Sequence, residues 1–448
     1  MNPLIFRQGD RLRRLLHRAL RGKSSLFAVI QTAASNVGIQ GANLLAGVLV
    51  ARLLGPDGRG ALTAVTMWPQ FLAFALTLGV PVATVYSLKR RPELASSLSG
   101  ASSALSLLLG CVATLIGLIV IPISLHTYSP HVIHMAQIGV LVAPLALYGN
   151  TLTSQVQSAG SFTYFNLFRF LPPVSILLVL VIEWVTGTLT IGHAAIAYLL
   201  GGTPVMFWNL YWVQKHFKPT FRKNFEASAL ILKYGIRAWG ADLLGVIGNQ
   251  IDRILVVGML LPDAMGFYVV AQSAAGVLNA IPNAVVPITL PRATGGSEKE
   301  IVDLAGRAGR MTLFTMVAAG LPFFLAGRFL IHMVYGNKFA PAAPLFHILL
   351  VETILDGVTS VLSQAFLAAG YPGTTTFLQG CGVLSAIPLL LWLIPKWGVI
   401  GAAIALTLAT SFRLIFILLN FPFRLKVKPP SLIITWEELK AVLVRKAL

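Results

Sequence analysis

A chain of 448 residues with 56% hydrophobic and only 11% charged side chains carries too little polar surface to be soluble, and its apolar runs recur about every 30 residues throughout. Composition therefore specifies a polytopic helical membrane protein. In a soluble protein the net charge of +19 would point to nucleic acid. Here the lysines and arginines cluster between apolar runs, where orientation and lipid phosphates account for them, so membrane lipids are the expected partners and nucleic acid is not.

In chain order, residues 1–26 form a basic segment with seven Lys/Arg against the single acid Asp10, expected to lie on the cytoplasmic surface. The following run carries Asn36, Gln40 and Asn43 with no small-residue cleavage site before them, which argues against a signal peptide and for retention of the N-terminus. Apolar runs of spanning length follow at 27–51, 62–88, 97–122, 134–158, 163–184 and 190–213, forming an N-terminal lobe over 27–213. A basic cytoplasmic linker, 214–232, leads to a second set at 233–260, 267–291, 308–332, 343–368, 374–395 and 398–421, forming a C-terminal lobe over 233–423. Residues 424–448 read as a basic amphipathic tail, in which Ser431 is a candidate N-cap and Leu432, Trp436, Leu439 and Leu443 share one face. The fold expected is all-α, with about twelve transmembrane helices. Assigned alternately, the loops on one side collect 24 Lys/Arg and those on the other only five (Arg52, Arg59, Arg328, Lys338, Lys396), which places both termini in the cytoplasm. Cys111 and Cys381 fall inside apolar runs without metal-ligand spacing and read as buried free thiols.

The two halves are copies. A shift of 206 residues lays Asn249 on Asn43, Pro262 on Pro56, Asp263 on Asp57, Gly266 on Gly60 and Pro287 on Pro81. A shift of 208 lays Ala402, Ala403, Ile404 and Ala405 on Ala194, Ala195, Ile196 and Ala197, so the repeat spans two like-sized lobes.

Function is sought where polar side chains accept lipid depth. On the first helix Thr32, Asn36, Gln40, Asn43 and Gly47 share one face. On the seventh, Asp242, Asn249 and Arg253 occupy the positions matching Asn36, Asn43 and Gly47, with Asp252 on a neighbouring face. Amides in such places also serve simply to hold helices together. An aspartate and an arginine on a repeated stripe favour a water-filled cavity between the lobes. Glu352 and Asp356, one turn apart on the tenth helix, suit ion or proton coupling alongside Asp242, or else pair with Arg237, Arg253 or Arg413. Arg169, Gln272, Asn279, Asn283, Asn150, Ser154 and Gln157 are further lining candidates. Arg253 can fork two hydrogen bonds onto phosphate oxygens, or stand in a structural pair with Asp242, Glu352 or Asp356. No P-loop, HExxH, GxSxG or Asp-x-Asp motif occurs, so no catalytic residue, metal ligand or cofactor is expected.

The segments AGVLVARLLGPDGRGALTAV (46–65), NQIDRILVVGMLLPDAMGFYVVAQ (249–272), SQAFLAAGYP (363–372) and WGVIGAAIALTLA (397–409) resemble the polysaccharide transporter family, the bacterial O-antigen and exopolysaccharide repeat-unit flippases. That family belongs to one superfamily with the lipid II flippases and the multidrug and toxic-compound extrusion transporters. The resemblance covers residues 28–420, and the family's Asp-Arg of the seventh helix is matched by Asp252 and Arg253. It implies a non-enzymatic flippase that moves a polyprenyl-pyrophosphate-linked oligosaccharide from the inner to the outer leaflet by rocking two lobes about a central cavity. A polysaccharide polymerase and export proteins are the implied partners. The competing readings are a cation-coupled extruder of drugs or metabolites on the same fold, a membrane polymerase or glycosyltransferase, which would need a longer outer loop, and a non-transporting assembly scaffold.

Overall fold

The computed structural model describes residues 25–221, 225–293 and 297–433, so the basic N-terminal segment and the amphipathic tail lie almost wholly outside the described residues. Two helices are broken internally where the chain must reverse. Helix α1 (Ser25–Ala75) is interrupted at Gly55, whose φ of 71° is left-handed and open to glycine without strain, and Pro56 then starts the next span. The last helix repeats this at Gly398, where φ is 57°.

After α1 the N-terminal lobe continues through α2 (Val80–Arg90), α3 (Ala95–Ser124), the bent pair α4 (Pro130–Val140) and α5 (Ala143–Ser158), α6 (Phe162–Val185), α7 (Ile191–Leu200) and α8 (Thr203–Phe217). The C-terminal lobe comprises α9 (Phe225–Met259), α10 (Pro262–Ala275), α11 (Ala280–Ala293), α12 (Glu298–Tyr335), α13 (Ala342–Ala368) and α14 (Pro372–Leu425). Among the described residues, eight helices or helix runs are long and apolar enough to cross a membrane. The breaks at Gly55 and Gly398 divide two of them, the bent α4–α5 pair adds one, and α9, with its interior charges, completes twelve. Between the two sets α8 runs to Phe217 and α9 begins at Phe225. Cys111 is exposed on α3 and Cys381 is half-buried, so neither thiol is fully buried within the protein.

The core shows how the lobes meet. Toward the end bearing the Gly55, Leu261 and Gly398 turns, one buried cluster runs across both lobes, from Ala46, Val50 and Val65 through Met265, Tyr268 and Val269 to Ile331, Phe339 and Phe346. Toward the basic end it gives way to three separate clusters: Leu152, Val156 and Trp212 in the first lobe, Ile301, Leu362 and Phe421 in the second, and Val80, Ala83 and Leu98 with Ile231 of α9. The lobes are therefore fused at one end, while at the other the start of α9 alone bridges them, against Val80, Ala83 and Leu98, and the rest is parted among the described residues.

Repeat-matched residues form the fused end. A Cβ added to Gly60 would lie 1.7 Å from the Pro262 carbonyl oxygen, and one added to Gly266 would lie 2.1 Å from that of Pro56. Each glycine thus lets the partner backbone cross directly above it, and the pseudo-twofold axis passes between them. Beside this clasp, Arg52 at the end of the first span donates from Nε to the Val334 carbonyl at 2.6 Å and from Nη2 to that of Met333, satisfying the last carbonyls of α12 from the other lobe.

Candidate functional site: a central cavity open at the basic end

A cavity of about 1130 Å³ lies where the lobes part. The first lobe supplies most of its wall, including Gln70 and Phe74 of α1, Thr77 of the turn that follows it, Asn150, Thr153 and Ser154 of α5, and Phe165, Phe168 and Arg169 of α6. The second lobe adds Asp242 and Asn249 of α9 and Thr375, Thr376 and Gln379 of α14. Of the lining side chains, Arg169 alone is a cation and Asp242 alone a carboxylate. Pro81, Val82 and Ser154 also line a vestibule of about 640 Å³ that carries Gln157, Tyr86, Lys89 and Arg90 toward the basic end, so the two spaces adjoin.

Arg169 is held in place from two sides. Its Nη2 donates to Asn36 Oδ1 at 3.2 Å, and its guanidinium lies 5.2 Å from the Phe165 ring centroid. One turn away Asn166 Nδ2 donates to Thr32 Oγ1 at 3.1 Å. The polar stripe of the first span is thus joined at Thr32 and Asn36 to α6 of its own lobe, while Gln40 and Asn43 are not part of the cavity wall. The matching stripe on α9 points differently, because the lower half of α9 leans onto the first lobe. There Trp239 Nε1 donates to the Ala75 carbonyl at 2.8 Å, and Tyr234 stacks on Tyr86 with ring centroids 4.1 Å apart. That lean aims Asp242 and Asn249 into the cavity.

Arg253 and Asp252 belong elsewhere. Arg253 Nε donates to Gln272 Oε1 at 2.7 Å, and Gln272 Nε2 donates to Asp252 Oδ2 at 3.0 Å, with the Tyr268 hydroxyl on the same oxygen at 2.8 Å. Asp252, Gln272, Asn279, Glu352, Asp356, Thr410 and Arg413 line a second, smaller cavity of about 200 Å³ inside the C-terminal lobe, with Asn249 common to both walls. Arg413 is paired with Asp356, and the Thr410 hydroxyl donates to Glu352 Oε1 at 2.9 Å. The pair is 24% and 40% exposed, so solvent screens it in part. Removing one partner still strands a charge at membrane depth. Asp356→Asn and Arg413→Gln should each lower the thermal midpoint, by about 2–4 °C for each kcal/mol lost. The double variant should recover most of the drop in a differential scanning fluorimetry series; additive losses would contradict the pairing.

Several lining residues were not singled out by periodicity: Gln70, Thr77, Thr153, Asn209, Thr375, Thr376 and Gln379. Of these Asn209, whose Nδ2 donates to Thr153 Oγ1 at 3.1 Å, had a detectable signal as the one amide within the apolar run at 190–213.

The architecture matches solved transporters. The chain superposes on an inward-facing multidrug resistance MATE family transporter of the MOP superfamily with a TM-score of 0.71 and 16% identity, over 86% of this chain and 94% of that one. On the lipid II flippase MurJ in an inward closed conformation the values are 0.68 and 18%, over 89% and 88% of the two chains. An outward-facing MATE transporter gives 0.61 at 17% identity, covering 89% of this chain and 96% of that one. No curated protein matches the chain. Residues 49–344, well over half of the sequence, match the family described as polysaccharide biosynthesis protein, and on that match the chain belongs to this family.

Proposed function

We propose that the protein flips a polyprenyl-pyrophosphate-linked oligosaccharide repeat unit from the inner to the outer leaflet, for cell-surface or exported polysaccharide. The observation that carries this reading is the central cavity. Its volume of about 1130 Å³ exceeds the roughly 300–1,000 Å³ of drug-sized pockets. Its wall mixes amides and hydroxyls suited to sugar with one oriented guanidinium suited to phosphate. Unaided passage would strip water from two phosphates and many hydroxyls, a prohibitive desolvation that such a wall offsets. The parted basic end faces the cytoplasm in this reading, with Lys89 and Arg90 at the entrance. Asp242 among Phe74, Phe165 and Phe168 favours, as a second reading, a cation-coupled extruder of apolar cations. Deletion of the gene discriminates: accumulation of lipid-linked repeat units on the inner leaflet supports flipping, whereas intact glycan with raised sensitivity to cationic drugs supports extrusion.

Two further outcomes belong to this reading. A cysteine at Lys218 should react with impermeant maleimide only in inverted vesicles and one at Lys338 only in intact cells; labelling of position 218 from outside would overturn the topology. Energy coupling is assigned to the second cavity, with Glu352 as the proton-accepting group and Asp356 held by Arg413. Glu352→Gln should leave substrate binding unchanged and remove acceleration by a pH gradient, and an unchanged gradient response would remove Glu352 from the mechanism.

A further inference from the structure

At the basic end of the C-terminal lobe, apart from both transport cavities, the start of α12 and the strap that follows α14 enclose a pocket of about 460 Å³. Lys299, Val302, Asp303, Arg307 and Arg310 form one wall, all within one broad face of α12, and Val427, Lys428, Pro429, Pro430 and Ser431 form the other. The strap is fixed to the helix at two points. Arg310 Nη1 donates to the Ser431 carbonyl at 3.2 Å, and Pro430 fills a notch at Gly306, where an added Cβ would lie 2.5 Å from the proline ring.

Four cationic side chains thus surround a space whose wall, among the described residues, holds a single carboxylate, Asp303. The nearby acid Glu300 is engaged otherwise, accepting from the Ser297 N–H at 2.9 Å in the capping box that starts α12. At about 30 Å³ per water the pocket holds roughly fifteen waters, a headgroup rather than one ion. On either side of the strap Phe423 and Ile433 are 80% and 81% exposed and offer apolar surface to acyl chains. A basic pocket at a membrane interface, flanked by apolar side chains, matches the two halves of one molecule. We propose that this pocket binds the phosphodiester headgroup of an anionic phospholipid and so ties the tail strap to α12.

The full-length protein, delipidated and placed in nanodiscs, tests this by native mass spectrometry with phosphatidylglycerol against phosphatidylcholine. Wild type should retain phosphatidylglycerol selectively. At about fivefold per basic residue, Lys299→Gln, Arg307→Gln and Lys428→Gln combined should weaken that binding about a hundredfold. Arg310 is left in place so that the strap stays anchored. Arg91→Gln, Lys215→Gln and Lys218→Gln combined remove the same charge from the other lobe and should change it less than about threefold. Lys428→Glu, at an exposed strap position, is a second variant that cannot act through the core and should lose more than about tenfold. Equal retention of both lipids, equal losses in the two triple variants, or displacement by millimolar inorganic phosphate, which would mark a free-phosphate site, would each overturn the proposal.

Discussion

Gly60→Ala and Gly266→Ala will each hold the clasped end apart and stop glycan export. A methyl at either position would stand 1.7 or 2.1 Å from a backbone carbonyl of the opposite lobe, and backbone on backbone has no rotamer to yield. Overpacking of this kind costs about 1–3 kcal/mol, a shift of roughly 5- to 150-fold away from the closed arrangement. Because the contact is backbone on backbone, the upper part of that range is expected. Spin labels at Asp57 and Asp263, repeat-matched positions on the two sides of the clasp, should report a longer distance in both variants. Gly41→Ala is the control, since a Cβ there meets nothing within 4 Å. Wild-type export and an unchanged label distance in Gly60→Ala would remove the clasp from the transport cycle.

The second large effect concerns Arg169. Charge-assisted hydrogen bonds to phosphate are worth about 1.5–3 kcal/mol, so Arg169→Ala should reduce flipping by roughly 10- to 150-fold while leaving abundance and thermal midpoint close to wild type. Arg169→Lys keeps the charge but loses the fork and its fixed orientation on Asn36 and Phe165, and should fall between. Arg253→Ala should behave in the opposite way. Its guanidinium serves the Gln272 and Asp252 network between α9 and α10, so the loss should appear first as lower stability. A stable, fully active Arg169→Ala protein would sink the role given to this residue.

The contrast between these two arginines shows what the sequence could and could not convey. The twelve spans, the duplication and the paired Pro56/Pro262 and Gly60/Gly266 positions were readable because periodicity and repetition are local properties of the chain. Which face meets which neighbour was not. The stripes on α1 and α9 are matched in sequence, yet Thr32 and Asn36 join α6, whereas Asp242 and Asn249 open into the cavity. The difference arises from the lean of α9 onto the first lobe through Trp239 and Tyr234, a tertiary choice that breaks the repeat's symmetry. Arg253 likewise shares its face with Asp242 and Asn249, but one turn further along the wall has ended and Gln272 is within reach. Glu352 and Asp356 were legible as a pair on one helix, while Thr410 and Arg413, which complete their cavity from α14, lie more than fifty residues away.

The central claim is that a lipid-linked glycan headgroup passes through the Arg169 cavity, and reconstituted flipping measures it most directly. Purified protein is placed in liposomes whose two leaflets carry a fluorescent polyprenyl-pyrophosphate oligosaccharide, and a glycosidase added outside trims only the outer-leaflet pool. Without protein about half of the probe should stay protected; with wild type that protected half should become trimmed, and with Arg169→Ala it should stay protected on the same timescale. Persistent protection with folded wild type, alongside uptake of an apolar cationic drug by the same liposomes, would contradict the flippase reading.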